Sequence, residues 1–186
     1  MVRRVILAAM LAVVSACASS RSPAPGTAPS APPSGGSPAV EYAPWQQAAL
    51  RAADVPSVFV TEWRKAENRS TCALIAPAKT VEEAVPRAAT FSGGWAVAYD
   101  TPTQRSAFGV AGTGSNAGDP SYDAWPHKVR WADGSSAGYG PEGGTGSNQL
   151  AYLRITGEGC LYNVWSRLGV MHLETLLSEL RFVRAD

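Results

Sequence analysis

The chain has 186 residues, 45 % of them apolar, with 16 Lys and Arg against 15 Asp and Glu. Charge so close to balance, with no run of Lys or Arg, excludes the dense basic face that nucleic-acid binding needs to displace counterions. Residues 45–186 span 142 positions, one domain's length, and with six Trp, six Tyr and four Phe in the chain they suffice for a core that needs no metal or oligomer.

In chain order, Arg3 and Arg4 precede residues 5–14, ten positions with no polar side chain. That length suits the apolar region of a signal peptide and is about half of what a membrane-spanning helix requires. Val14-Ser15-Ala16-Cys17 follows, and this segment resembles the lipobox of bacterial lipoprotein signals. The resemblance implies that residues 1–16 are a signal peptide, that Cys17 is acylated, with palmitate among its chains, and that a membrane is the first partner. It also implies a cell-envelope location. With Ala18 where many inner-membrane lipoproteins have aspartate, a two-membrane host would carry the chain on its outer membrane, facing the periplasm. A single-membrane host would carry it on the outer face of the cytoplasmic membrane.

Residues 18–44 hold seven prolines in 27 positions, among Ser, Ala, Gly and Thr. Such a composition cannot bury enough apolar surface to fold and reads, from Cys17 to residue 44, as an extended disordered tether. The single globular domain then begins at residue 45. Good helix formers predict a helix over 44–53, with Pro44 in its first turn. Residues 57–64 and 70–76 read as strands around a polar turn. Thr80 and Glu83 fit a capping box opening a helix over 80–88, which Pro86 shortens. Residues 94–99 and 106–111 read as a hairpin about Asp100-Thr101-Pro102-Thr103.

Residues 112–148 contain nine glycines in 37 positions, and 126–132 is the one strand expected there. Gly112-Thr113-Gly114-Ser115-Asn116 recurs as Gly144-Thr145-Gly146-Ser147-Asn148, which reads as two similar turns. Residues 150–156 and 160–168 form a second hairpin around Gly157-Glu158-Gly159, with large residues on both faces, as in a central strand pair. Val170, Leu173, Leu176, Leu177 and Leu180 then draw an apolar stripe on a final helix over 170–181. The fold class expected is α+β: an antiparallel or mixed sheet of about six to seven strands with N-terminal, middle and C-terminal helices packed on it.

With Cys17 acylated, Cys72 and Cys160 are an even pair in an oxidising compartment and read as one disulfide. The alternative is two buried free thiols. Gly134-Ser135-Ser136-Ala137-Gly138 matches the nucleophile-elbow pattern, but Tyr139-Gly140-Pro141 cannot start the helix such an elbow requires. Gly138, Gly140 and Gly143 fail the dinucleotide fingerprint for the same reason, so no cofactor is expected. His172 and Glu174 lie two apart on a helix and cannot share a metal, and no metal motif occurs. His127 lies near Asp119, Asp123 and Asp133, the minimum for acid–base work, with Ser136 as a possible nucleophile. That set defines a small envelope hydrolase.

A different set favours binding over catalysis. Tyr122, Trp125, Trp131 and Tyr139 offer flat amphipathic faces between Gly, Ser and Asn, a mixture suited to a recognition surface for an envelope glycan or protein. The competing explanation is that Trp125 and Trp131 are core residues. A third class is a structural or assembly factor of the envelope. The sequence therefore predicts a lipid-anchored envelope protein with a binding module, and a hydrolase or an assembly factor as alternatives.

Overall fold

The computed structural model describes residues 42–118, 124–144 and 146–185. The signal peptide, Cys17, nearly all of the tether, Asp119, Tyr122 and Asp123 lie outside the described residues. The described chain is mostly sheet. Its strands are β1 (Leu50–Arg51), β2 (Ile75–Pro77), β3 (Val85–Ala88), β4 (Trp95–Thr101), β5 (Gln104–Asn116), β6 (His127–Arg130), β7 (Ser136–Pro141), β8 (Gln149–Arg154), β9 (Cys160–Ser166) and β10 (Leu180–Arg184). Two α-helices accompany them, α1 (Ser57–Lys65) and α2 (Val170–Ser178).

Seven strands form one antiparallel sheet in the order β3-β4-β5-β9-β8-β7-β6. A second sheet of three strands, β1-β10-β2, pairs β1 parallel and β2 antiparallel to β10. The two expected hairpins are present as β4–β5 and β8–β9, and β9 is central, between β5 and β8. Alternation puts Trp95, Val97, Tyr99, Phe108, Val110, Tyr162 and Val164 on one face, which carries the main core. Both helices lie on that face: Phe59 of α1 meets Trp95 and Tyr99, and His172 of α2 meets Phe108.

The expected three helices are replaced by two. Residues 44–53 make no α-helix: a 3-10 turn, Pro44–Gln46, is followed by extended Gln47, Leu50 pairs with Val183, and a second 3-10 turn, Ala52–Asp54, begins after β1. The free edge of β10 offers those backbone groups partners, and propensity alone does not hold a short helix against that. Residues 80–88 form no helix either. Glu83 takes a left-handed φ of 61°, and Val85–Ala88 pairs along β4 as an edge strand. Proline is tolerated on an edge strand, and there Pro86 sits.

The opposite error occurs at 57–64, which is α1 and not a strand. Its β-branched and aromatic residues look strand-like, yet Phe59, Val60 and Trp63 fall on one helical face and pack into the core. The indole Nε1 of Trp63 donates to the Cys72 carbonyl oxygen at 2.9 Å, closing the helix on the following loop. The final helix stands as expected, with Leu173, Leu176 and Leu177 buried, except that Leu180 begins β10.

Cys72 and Cys160 form the expected disulfide, S–S 2.04 Å, across a separation of 88 residues. It ties the loop before β2, and not a strand, to the start of β9. Glu158, in the β8–β9 turn, accepts from the Ala73 backbone N–H at 2.6 Å, and Gly159 N–H donates to the Thr71 carbonyl at 2.8 Å. The bridge is therefore one of several links between the same two segments.

Candidate functional site

Among the described residues no helix packs on the second face of the seven-stranded sheet, and its side chains follow from the register. One cross-strand row runs Ala96, Ala111, Asn163, Tyr152, Gly138, Lys128. The adjacent row runs Arg87, Ala98, Gly109, Trp165, Leu150, Gly140. Small residues on β4, β5 and β7 thus flank large ones on β8 and β9, so the middle of the face stands proud and its flanks are hollow.

The glycines have a packing reason. A Cβ at Gly109 would lie 2.2 Å from the Trp165 ring, and one at Gly140 would lie 2.6 Å from the Pro126 ring. Trp125 lies over Gly138 in the same way and meets Tyr152 with ring centroids 5.5 Å apart. The Trp165, Trp125 and Pro126 side chains therefore pack directly against backbone. Ala98, Phe91, Leu150, Tyr152, Asn163 and Trp165 line a cleft of about 350 Å³ beside them. The Asn163 carboxamide oxygen is buried and accepts no hydrogen bond. An unpaired buried acceptor costs about 1–3 kcal/mol.

At one end of this face Arg87 grips Asp100 through Nε, 3.0 Å from both carboxylate oxygens, and also donates to Ser106 Oγ. The Ser106 backbone N–H, at a left-handed φ of 50°, donates to Asp100 Oδ1 at 2.7 Å. That bond first, and Arg87 with it, hold the Asp100 carboxyl below its usual range. At the other end, Lys128, Arg130, Ser136, Gly138 and Arg154 border a second hollow of about 340 Å³.

The four aromatics of 112–148 do not share one surface. Trp131 is 6 % exposed and packs edge-on to Trp45 at 4.8 Å, so it is a core residue. Tyr139 is half-buried on the core side, where its hydroxyl donates to Glu174 at 2.8 Å. Burial and then Glu174 push its phenol up to about 12. Trp125 alone of the three described residues reaches the second face, and Tyr122 lies outside the described residues. The residues that sequence reasoning missed, Tyr152, Asn163 and Trp165, sit on the β8–β9 hairpin. Their signal was its two-sided pattern of large side chains, which was read as burial on both faces.

Among the described residues of the acid–base set, His127, Asp133 and Ser136 do not converge, and Asp119 and Asp123 lie outside the described residues. His127 is exposed and stacks on Tyr139 at 5.2 Å on the core side, whereas Ser136, paired with Arg130, points to the second face. Asp133 is engaged structurally: Oδ2 accepts from Trp45 Nε1 and Oδ1 from the Ser135 N–H, both at 2.9 Å. Ser136 opens strand β7 and no helix follows it, so the elbow pattern lacks its turn. Gly112-Thr113-Gly114-Ser115-Asn116 ends β5 and is not a turn, and its first glycine is a packing position, since a Cβ at Gly112 would lie 2.5 Å from Cys72 Sγ. Among the described residues no cluster of His, Cys, Asp or Glu is built to hold a metal, and no helix is long and apolar enough to cross a membrane.

A serine–histidine pair does occur elsewhere. Ser166 Oγ lies 2.9 Å from His172 Nδ1 and accepts from the Leu168 N–H at 3.0 Å. Ser166 has no exposed surface, so it cannot reach a substrate and serves to fasten α2 to β9. Burial lowers the His172 pKa below 6.5. The unfolded chain then binds the proton before the folded one does, so His172 contributes full stability above pH 6.5 and loses it as pH falls toward the depressed folded value. Urea midpoints measured at pH 7.5 and 5.5 should fall further for the wild type than for His172→Gln; equal falls would show that the imidazole is not desolvated.

Compared with known proteins, the chain matches no family model, and neither a curated protein nor a solved structure shows significant similarity to it.

Proposed function

We propose that this chain is a lipid-anchored cell-envelope protein whose folded domain binds an envelope glycan on the second face of its seven-stranded sheet. The observation that carries the binding reading is the cleft of Phe91, Leu150, Tyr152, Asn163 and Trp165 on a face that bears no helix among the described residues. Flat rings stack against the apolar faces of sugars, and Tyr152 and Trp165 supply such rings in the cleft. The anchor rests on Val14-Ser15-Ala16-Cys17 and the location on that anchor, with residues 18–44 as a stand-off tether.

Two experiments test the two halves. Cys17→Ser should leave the protein unacylated and extractable without detergent, and retention in the membrane fraction would defeat the anchor. For the cleft, the detergent-solubilised full chain is titrated calorimetrically with a hexasaccharide of alternating N-acetylglucosamine and N-acetylmuramic acid methyl ester. Trp165→Ala should weaken binding about tenfold, the scale of one lost stacking contact. Unchanged affinity in the folded variant removes the cleft as the site.

A further inference from the structure

On the opposite side of the large sheet from the glycan cleft, we infer that a hollow between α2 and the β6–β7 hairpin binds an alkylammonium group, with the Glu174 carboxylate as its counter-charge. Alternation along β6 puts Val129 on the same side as His127 and the buried Trp131 that follows the strand, and Tyr139 stands opposite His127 on β7. Glu174 and Leu177 are three apart on α2, so one face of that helix presents both. Val129, Trp131, Tyr139, Glu174, Leu177 and Pro44 border a space of about 170 Å³. At about 30 Å³ for a water-sized group it holds about five or six such groups, the size of a trimethylammonium head.

The lining selects a cation. Among the described residues Glu174 is the one charged group that borders the hollow. Its Oε1 accepts from the Tyr139 hydroxyl at 2.8 Å, which fixes the carboxylate beside the rings, and Oε2 has no hydrogen-bond partner among the described residues. None of their salt bridges involves Glu174. Arg181, on β10, donates instead to the Ser178 and Leu180 carbonyl oxygens and to Gln47 Oε1. The Tyr139 phenol, pushed up to about 12, is a neutral donor at neutral pH, so the negative charge of the pair is the carboxylate's.

Around that charge the walls are apolar or aromatic. Val129, Leu177 and Pro44 exclude water, and Trp131 and Tyr139 bring rings to the hollow. His127 stacks on Tyr139 with ring centroids 5.2 Å apart, which holds the tyrosine ring in place. An ammonium beside aromatic rings is attracted by their quadrupoles, and more strongly where it sheds water. Fastening α2 to β7 accounts for the Tyr139–Glu174 bond but not for an acid in it, because a glutamine oxygen accepts the same hydrogen bond without the charge. The shared chemistry is a small alkylammonium, carried either by a lipid headgroup or by a soluble amine.

The test compares choline with 3,3-dimethylbutanol, which has carbon in place of the charged nitrogen and the same shape. The full chain in a non-ionic detergent is titrated with each at pH 8, where an imidazole is neutral, and binding is read by ligand-observed NMR. Choline should bind about tenfold more tightly than the alcohol, and added salt should shrink that margin. Glu174→Gln, at an exposed position and with the acceptor for Tyr139 kept, should bind the two alike and unfold at the wild-type urea midpoint. Tyr139→Phe keeps the ring but frees the carboxylate, and should narrow the margin. Equal binding of the two by the wild type, binding of neither, or a choline preference that survives in Glu174→Gln overturns the inference and leaves the glycan cleft standing. With the preference established, phosphatidylcholine doped into the micelle that displaces choline assigns the ammonium to a lipid, and undisplaced choline assigns it to a soluble amine.

Discussion

Reduction of the Cys72–Cys160 bridge should lower the unfolding free energy by about 4–5 kcal/mol, the largest single loss expected in this protein. The magnitude follows from the 88-residue separation, because a cross-link removes more freedom from the unfolded chain the longer the loop it closes. The loop runs from the segment before β2 to the start of β9 and so encloses α-free sheet from β3 to β8. Guanidinium unfolding with and without reductant, and of Cys72→Ala/Cys160→Ala, measures the loss. Native contacts at the bridge soften the structural consequence: the Glu158 clamp on Ala73 and the Gly159–Thr71 bond persist in the reduced protein. The reduced protein should accordingly remain folded in the absence of denaturant. Identical midpoints with and without reductant would show that the cross-link does not constrain the unfolded chain.

Trp131→Ala should cost about 3–5 kcal/mol, in the range of large aromatic truncations in a core. Its ring is buried edge-on against Trp45, whose indole N–H is in turn fixed by Asp133, so removal opens a cavity and loosens the N-terminal segment together. Trp125→Ala should cost distinctly less, since that ring is half-buried and lies on the glycine backbone of the second face. Denaturant midpoints of the two variants decide it. A loss for Trp131→Ala within about 0.5 kcal/mol, the range of surface substitutions, would return that residue to the recognition surface.

Sequence reasoning succeeded where a pattern was both long and local. The hairpins β4–β5 and β8–β9 were readable because polar or glycine-containing turns separate strand-like runs, and α2 because its leucines repeat at helical spacing. It failed on short segments of mixed character. Residues 57–65 carry Val, Phe and Trp that favour strands, but a helical face among them fits the core, and packing outweighed propensity. Thr80 and Glu83 fit a capping box for a helix over 80–88, yet Glu83 turns left-handed and the edge of β4 took the hydrogen bonds of 85–88. β7 was missed because Gly138 and Gly140 look like loop residues, when they are the places where Trp125 and Pro126 lie on a strand.

By itself the sequence determined the two hairpins of the large sheet, the pairing of the two remaining cysteines, the amphipathic last helix and the absence of a basic run. These follow from local periodicity, from turn chemistry and from counting. Only the tertiary structure decided which aromatics face solvent and which cations meet. Trp125 and Trp131 are six residues apart and indistinguishable in composition, but the turn Asp133 makes with Ser135 and Trp45 drives one into the core. Lys128 and Arg154 stand far apart in the chain, and only the register β6-β7-β8 brings them to one hollow. Strand register is a long-range property: shifting it by one residue would send every one of these side chains to the other face, and no local pattern encodes which neighbour a strand will choose.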